Sequence, residues 1–81
     1  MQNKWEQNSS KLVKTFHFQD FKEALKFINT VGQIAESMNH HPKIINLYNT
    51  VSLELWTHDQ NAISDLDFQL ADKIDEQIKQ T

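Results

Sequence analysis

Apolar residues recur along the chain with two different periods, and the change of period separates strands from helices. Residues 11–18 alternate between apolar and polar, which is typical of a strand with one buried face. A shorter strand is expected at residues 4–7, before a turn at residues 8–10. Residues 51–57 alternate in the same way, and together with residues 43–48 they predict a hairpin that turns at residues 49–50.

A long helix is predicted after the second strand. Asp20 is a good N-cap, and Glu23 stands three residues later, as in a capping box. The apolar stripe of this helix, interpreted as core, recurs at spacings of three and four residues. It consists of Phe21, Leu25, Ile28, Val31, Ala35 and Met38, widened by Phe27 and Ile34. Gly32 lies inside the helix, where a close neighbour would explain a residue that costs about 1 kcal/mol against alanine.

The long helix is expected to stop just before two adjacent histidines. Asn39 tolerates the left-handed conformation of a helix cap, and the residue before Pro42 is disfavoured in the α region. His40 and His41 should therefore leave the backbone in different directions. Glu36 lies one turn before His40, so the two share a face if the helix reaches that far. The alternative interpretation is a helix stop that merely carries histidines.

A second helix closes the predicted order of elements. Ser64 and Asp67 form a capping box, which gives Asp67 a structural role that competes with any functional one. The apolar stripe that follows consists of Leu66, Leu70, Ala71, Ile74 and Ile78. The order strand, strand, helix, strand, strand, helix predicts an α+β fold, a four-stranded antiparallel sheet with helices packed on one face. His58 falls at the end of the fourth strand, a position that suits a catalytic group, although such a residue is more often structural.

Size and charge restrict the class of protein. The 81 residues are expected to form one domain, 1–81, with a small core. Eight basic and eleven acidic residues give a net charge of −3 without charge runs, which disfavours nucleic acid as a main ligand.

No stretch approaches the roughly 20 apolar residues of a membrane span, and residues 1–6 lack the apolar run of a signal peptide. Without cysteine, the chain is expected to be cytoplasmic.

The histidines belong to a longer pattern. The chain carries the spacing Glu36-x3-His40-His41-Pro42-x5-Tyr48-x9-His58-x8-Asp67. This spacing resembles the signature of the pterin-4a-carbinolamine dehydratases, also called 4a-hydroxytetrahydrobiopterin dehydratases. Residues 16–24, 46–51 and 57–59 resemble the family's entry to the long helix, its hairpin and its active-site strand end. Residues 67–75 are similar to the family's last helix, so the resemblance covers nearly the whole chain.

The resemblance implies a hydro-lyase that eliminates water from 4a-hydroxytetrahydropterin to give quinonoid dihydropterin, within tetrahydrobiopterin recycling. It implies no metal and no cofactor, a homodimer or homotetramer, and an aromatic amino acid hydroxylase as a pathway partner. Elimination of water needs a base for the N5 proton and an acid for the departing hydroxyl. Imidazoles can do both near neutral pH.

The resemblance also assigns roles by position. His40 matches the base, His58 matches the group that protonates the leaving hydroxyl, and His41 resembles the partner that holds the substrate. The sequence does not settle which histidine is acid and which is base. The remaining site positions orient the imidazoles or grip the pterin ring, and they are Glu36, Pro42, Thr57, Asp59, Gln60 and Asp67.

The chain departs from the family pattern at two places. A helix of about 20 residues that members carry before the position of Trp5 is largely missing, by length matching. Asn61 and Ala62 stand where members tend to have glycine before the last helix. If that turn needs a positive φ, Asn61 supplies it more readily than Ala62.

Two other functions compete with the dehydratase. A non-catalytic module on the same fold, acting as a dimerisation cofactor or transcriptional coactivator, predicts the loss of a signature histidine, and all three are present. A zinc hydrolase could use three histidines, but adjacent histidines diverge from each other, which makes a tetrahedral site geometrically awkward.

The small core and an exposed strand edge predict a homo-oligomer.

Overall fold

One antiparallel sheet and two helices make up the structure. The computed structural model describes residues 4–79. In chain order its elements are β1 (Glu6–Asn8), β2 (Lys11–His17), α1 (Phe21–Met38), β3 (Lys43–Leu47), β4 (Thr50–Leu55) and α2 (Asp65–Lys79). The sheet has the order β1-β2-β4-β3, which confirms the predicted α+β class. The hairpin turns one residue earlier than predicted, because Thr50 already belongs to β4.

Two predictions concern membranes and export. Neither helix within residues 4–79 has the length and apolar character that a bilayer span requires. The expectation about a signal peptide rests on residues 1–6, and the first three lie outside the described residues.

The core lies between one face of the sheet and both helices. The strands β2 and β4 supply its inner layer, and their buried positions alternate as predicted. The buried residues of this core are Leu12, Phe16, Ala24, Phe27, Val31, Val51, Leu53, Leu55, Leu70, Ala71 and Ile74. Both helices therefore pack on the same face of the sheet, and the ends of α1, β4 and α2 come close together at one end of the molecule.

The buried face of α1 is rotated from the predicted stripe. Phe21 and Leu25 are 44% and 42% exposed, so the prediction that they belong to the core is wrong. Phe27 takes their place, with its ring centroid 4.7 Å from that of Phe16 and 4.9 Å from that of Phe18. The same correction applies to Leu66 of α2, which is 42% exposed.

Two asparagines fix the hairpin between β3 and β4. Asn46 Nδ2 donates to the carbonyl oxygens of Tyr48, at 3.2 Å, and Thr50, at 2.9 Å. These bonds hold Tyr48 at φ 53°, a conformation that is uncommon for an aromatic residue. Asn49 exchanges two bonds with Phe18, donating from Nδ2 to its carbonyl and accepting from its N–H. The turn is thereby tied to the connection between β2 and α1.

Gly32 is expected to tolerate alanine. A Cβ built there meets no heavy atom of the described chain within 4 Å, so the predicted close neighbour is absent from the protomer. Gly32→Ala should therefore raise the free energy of unfolding by about 0.5–1 kcal/mol, because glycine loses more backbone entropy in a helix. Urea titration would measure the change, with the exposed neighbour Gln33→Ala as the control. A lower stability of the Gly32 variant would contradict the open space seen here.

Candidate active site

The end of α1 directs the two adjacent histidines apart. Asn39 adopts the left-handed conformation, with φ 52° and ψ 41°, and its N–H donates to Ala35 and Glu36 carbonyls. The predicted cap is confirmed. Because the chain reverses its hand at this residue, His40 turns inward, where its side chain is 11% exposed. His41 stays outside, with its side chain 54% exposed.

Glu36 pairs with His41 rather than with His40. The condition for Glu36 and His40 to share a helix face is not met, because α1 ends at Met38. Glu36 Oε1 instead lies 2.8 Å from His41 Nε2. Both side chains are largely exposed, so this pair adds little stability. Its effect is to restrict the orientation of the His41 ring.

Asp67 is the fully buried carboxylate at the base of the site, and it joins three parts of the chain. Its Oδ1 lies 2.6 Å from His40 Nε2, and its Oδ2 accepts from Thr57 Oγ1 at 3.0 Å. The same oxygen accepts from the Ser64 N–H at 2.9 Å, which is one half of the predicted capping box. Asp67 is 0% exposed, and the Thr57 hydroxyl and the Ser64 N–H both donate to it. A buried carboxylate satisfied in this way is fixed in position.

The second hydrogen bond of the capping box, from the Asp67 N–H to the Ser64 hydroxyl, is replaced by a contact within the site. The Ser64 hydroxyl bonds Thr57 Oγ1 instead of the Asp67 N–H. Thr57 gives its only hydroxyl proton to Asp67, so the Ser64 hydroxyl is the donor in that contact. The first turn of α2 and the segment after β4 are therefore locked together beneath His40.

The contact with Asp67 determines the tautomer of His40. An ionised carboxylate can only accept, so His40 Nε2 must carry the proton that is shared with Asp67. In the neutral ring, Nδ1 is then the nitrogen with a free lone pair. A neutral imidazole with a free lone pair can act as a general base, and the contact with Asp67 fixes the position of this ring.

His58 lies in a tight turn between β4 and α2. The turn is closed by a bridge between Thr57 and Ala62, with an N–H···O distance of 2.8 Å from Thr57 to Ala62. Asn61 has φ 50°, so it supplies the left-handed residue that this turn needs, as expected. Gln60 donates its N–H to the Thr57 carbonyl within the turn. His58 and Asp59 are exposed at its tip.

The three imidazoles line one open cleft. Its volume is about 260 Å³, and its lining residues are Asn39, His40, His41, Thr57, His58, Asp59 and Leu66. Of the other predicted site residues, Asp67 lies behind His40 and Glu36 behind His41. Pro42 and Gln60 are not among the lining residues. The sequence does not identify Leu66 as a site residue, because its spacing fits the apolar stripe of α2.

Within residues 4–79, no three histidine or acidic side chains are arranged so that they could hold a metal ion. The titratable groups of the cleft include two imidazoles held by carboxylates and a third on a turn. These groups can accept and donate protons beside an apolar side chain. The fold and the cleft together define a small α+β protein with a histidine-lined site suited to acid/base chemistry.

The chain belongs to the family described as pterin 4 alpha carbinolamine dehydratase, whose family model matches residues 1–77. A protein of Sulfurisphaera tokodaii, named "Putative pterin-4-alpha-carbinolamine dehydratase", is 53% identical over 72 residues, covering 89% of this chain and 77% of that protein. A Synechococcus protein of the same name is 48% identical over 71 residues, covering 88% and 76%.

Two solved structures share the fold. A structure described as a transcriptional coactivator/pterin dehydratase from Brucella melitensis has a TM-score of 0.82 and 31% identity, covering 91% of this chain and 79% of its own. A pterin dehydratase-like protein described as a RuBisCO assembly factor in the α-carboxysome has a TM-score of 0.75, covering 89% and 86%. Its identity is 20%, so that likeness concerns the fold alone.

Proposed function

We propose that the protein is a 4a-hydroxytetrahydropterin dehydratase, a cytoplasmic enzyme of pterin recycling. The single observation that carries this proposal is the convergence of His40, His41 and His58 on one cleft. The family membership of the chain and the names of its relatives support the same reaction. The proposal needs no metal ion and no organic cofactor.

The cleft suits a flat, neutral heterocycle. Leu66 offers an apolar surface for one face of the pterin ring, while the polar edge of the ring can meet the turn at residues 57–60. His41 is restrained by Glu36 and exposed at the mouth of the cleft, and in the proposed mechanism it holds the substrate near carbon 4a. Pro42 fixes the backbone that follows His41 and shapes the rim.

The elimination can be assigned to two of the imidazoles. His40 accepts the N5 proton at Nδ1, because Asp67 already holds Nε2–H. His58 donates a proton to the C4a hydroxyl, the C4a–O bond breaks, and water leaves. The electron pair of the N5–H bond becomes the new N5–C4a double bond, which gives the quinonoid dihydropterin. Water in the open cleft returns His40 and His58 to their starting states.

A stopped-flow assay tests the proposal directly. The absorbance of freshly generated 4a-hydroxytetrahydrobiopterin is followed as it decays with and without the protein. Acceleration in proportion to protein concentration, retained in a metal chelator, is the expected result. A decay rate equal to that of buffer alone would overturn the dehydratase assignment.

A non-catalytic role in binding a protein is the second candidate. It is favoured by the description of one structural relative, 31% identical to this chain, as a transcriptional coactivator/pterin dehydratase. Such a role can coexist with catalysis, because the cleft occupies only one end of the molecule. A chain that fails the stopped-flow assay yet folds normally would favour this candidate over the enzyme.

We also propose that the protein is a homo-oligomer. The edge strand β3 is exposed throughout, and Leu47 is 78% exposed. Phe21 and Leu25 add a second apolar surface on α1. Unpaired edges and exposed apolar side chains of this kind favour association. Light scattering should give a mass above that of the 9.5 kDa chain, and a concentration-independent monomer would contradict the proposal.

A further inference from the structure

The three imidazoles of the cleft are supported in two different ways. His40 and His41 are each held by a carboxylate. Among residues 4–79, the His58 ring has no hydrogen-bond partner, and its support is the indole of Trp56. The two ring centroids lie 4.6 Å apart with an interplanar angle of 34°. This separation is within the range of favourable aromatic pairs.

Trp56 is itself held by groups on the outer face of the sheet, opposite the core. It follows β4 directly, and the pairing of Leu12 with Leu55 brings Lys11 beside it on the neighbouring strand. The Lys11 ammonium lies 4.5 Å from the centroid of the indole. Glu54 fixes this ammonium in turn, at 3.3 Å. The indole is therefore held on the sheet before it contacts the imidazole.

We propose that Trp56 is a positioning residue, which keeps the His58 ring turned into the cleft. The inference rests on the proposed dehydratase function. An exposed histidine on a turn samples several rotamers, and each one that leaves the cleft removes the acid from the departing hydroxyl. The contact with Trp56 favours one ring orientation without occupying either ring nitrogen. Both nitrogens of His58 thus stay free for proton transfer, unlike those of His40 and His41.

The contribution of Trp56 should appear in kcat rather than in KM. His58 acts on the hydroxyl as the C4a–O bond breaks, so its alignment matters most in the transition state. The pterin ring is bound mainly by the other residues of the cleft. Trp56→Ala is therefore expected to lower kcat by roughly 3- to 10-fold, the effect of one aromatic pair, with KM little changed.

The test compares three variants of the full chain. Trp56→Phe keeps an aromatic ring at this position and should restore most of the turnover lost in Trp56→Ala. Val13→Ala is the matched control, because Val13 is a partly buried apolar residue on the same outer face and is paired with Glu54 rather than with Trp56. It should leave kcat unchanged. Equal turnover in wild type and Trp56→Ala would overturn the proposal.

A spectroscopic readout separates this inference from the dehydratase assignment. The ring protons of His58, assigned by their loss in His58→Gln, should be displaced upfield by the ring current of the indole. The displacement should vanish in Trp56→Ala and persist, in smaller degree, in Trp56→Phe. Unchanged His58 signals in Trp56→Ala would overturn the positioning role whatever the activity. A wild-type chain without dehydratase activity would overturn the catalytic consequence while the ring contact remained.

Discussion

Replacing His40 or His58 with alanine is expected to lower the turnover number by roughly 10²–10⁴-fold each, the usual contribution of one positioned acid or base. In the proposed mechanism, the His40 variant loses the acceptor for the N5 proton, and the His58 variant loses the donor to the hydroxyl. His58 is exposed on a turn, so its removal should leave the free energy of unfolding nearly unchanged. Stopped-flow kinetics and urea titration would measure the two effects separately.

The fourth histidine is the matched control for these variants. His17 ends β2, is exposed, and does not line the cleft. His17→Ala should therefore have wild-type turnover. Wild-type rates in both His40→Ala and His58→Ala would rule out the assigned chemistry, whereas a loss in all three variants would point to a general effect on the protein.

Asp67→Asn is expected to abolish most of the activity while the fold persists. The amide oxygen can replace Oδ2 and still accept from Ser64 and Thr57. Its NH₂ group then faces His40 Nε2, where a carboxylate oxygen had been. His40 must move its proton to Nδ1 to avoid two opposed donors, and the lone pair that the proposed base needs at Nδ1 is lost. Turnover should fall by roughly 10²–10⁴-fold, as in the loss of the base itself.

The stability of this variant should fall by about 1–2 kcal/mol, because hydrogen bonds to a charged acceptor are replaced by neutral ones. Nitrogen-15 NMR of the histidine rings would report the exchange of tautomer directly. Asp65→Asn is the control, since Asp65 is an exposed acid in the same first turn of α2. An Asp67→Asn protein with normal turnover, or with the proton still on Nε2, would refute this account.

Local chemistry explains which features the sequence predicts well. Asp20 and Asn39 cap α1 as expected, because a capping side chain acts within a few residues of its partner. Asn61 supplies a left-handed residue for the same reason. The alternating strands and the fold class also follow from periodicity. Spacing and resemblance single out the three histidines, and the structure brings them to one cleft.

Features that depend on contacts between distant elements are harder to predict from the sequence than local ones. Two overlapping apolar stripes fit α1, and only packing against Phe16 selects Phe27 over Leu25. The bond from Thr57 to Ser64 diverts a capping hydroxyl, which no local pattern indicates. The contact of Trp56 with His58 requires the shape of the turn between β4 and α2. Such choices are made by tertiary structure, which overrides local preference.

The left-handed conformation of Asn39 determines which carboxylate pairs with His40. If α1 continued through this residue, Glu36 and His40 would become neighbours four positions apart on one helical face. The buried carboxylate of Asp67 would then lose its imidazole, and a surface acid would take it instead. The conformation of Asn39 thus determines whether His40 pairs with a buried carboxylate or with one at the surface.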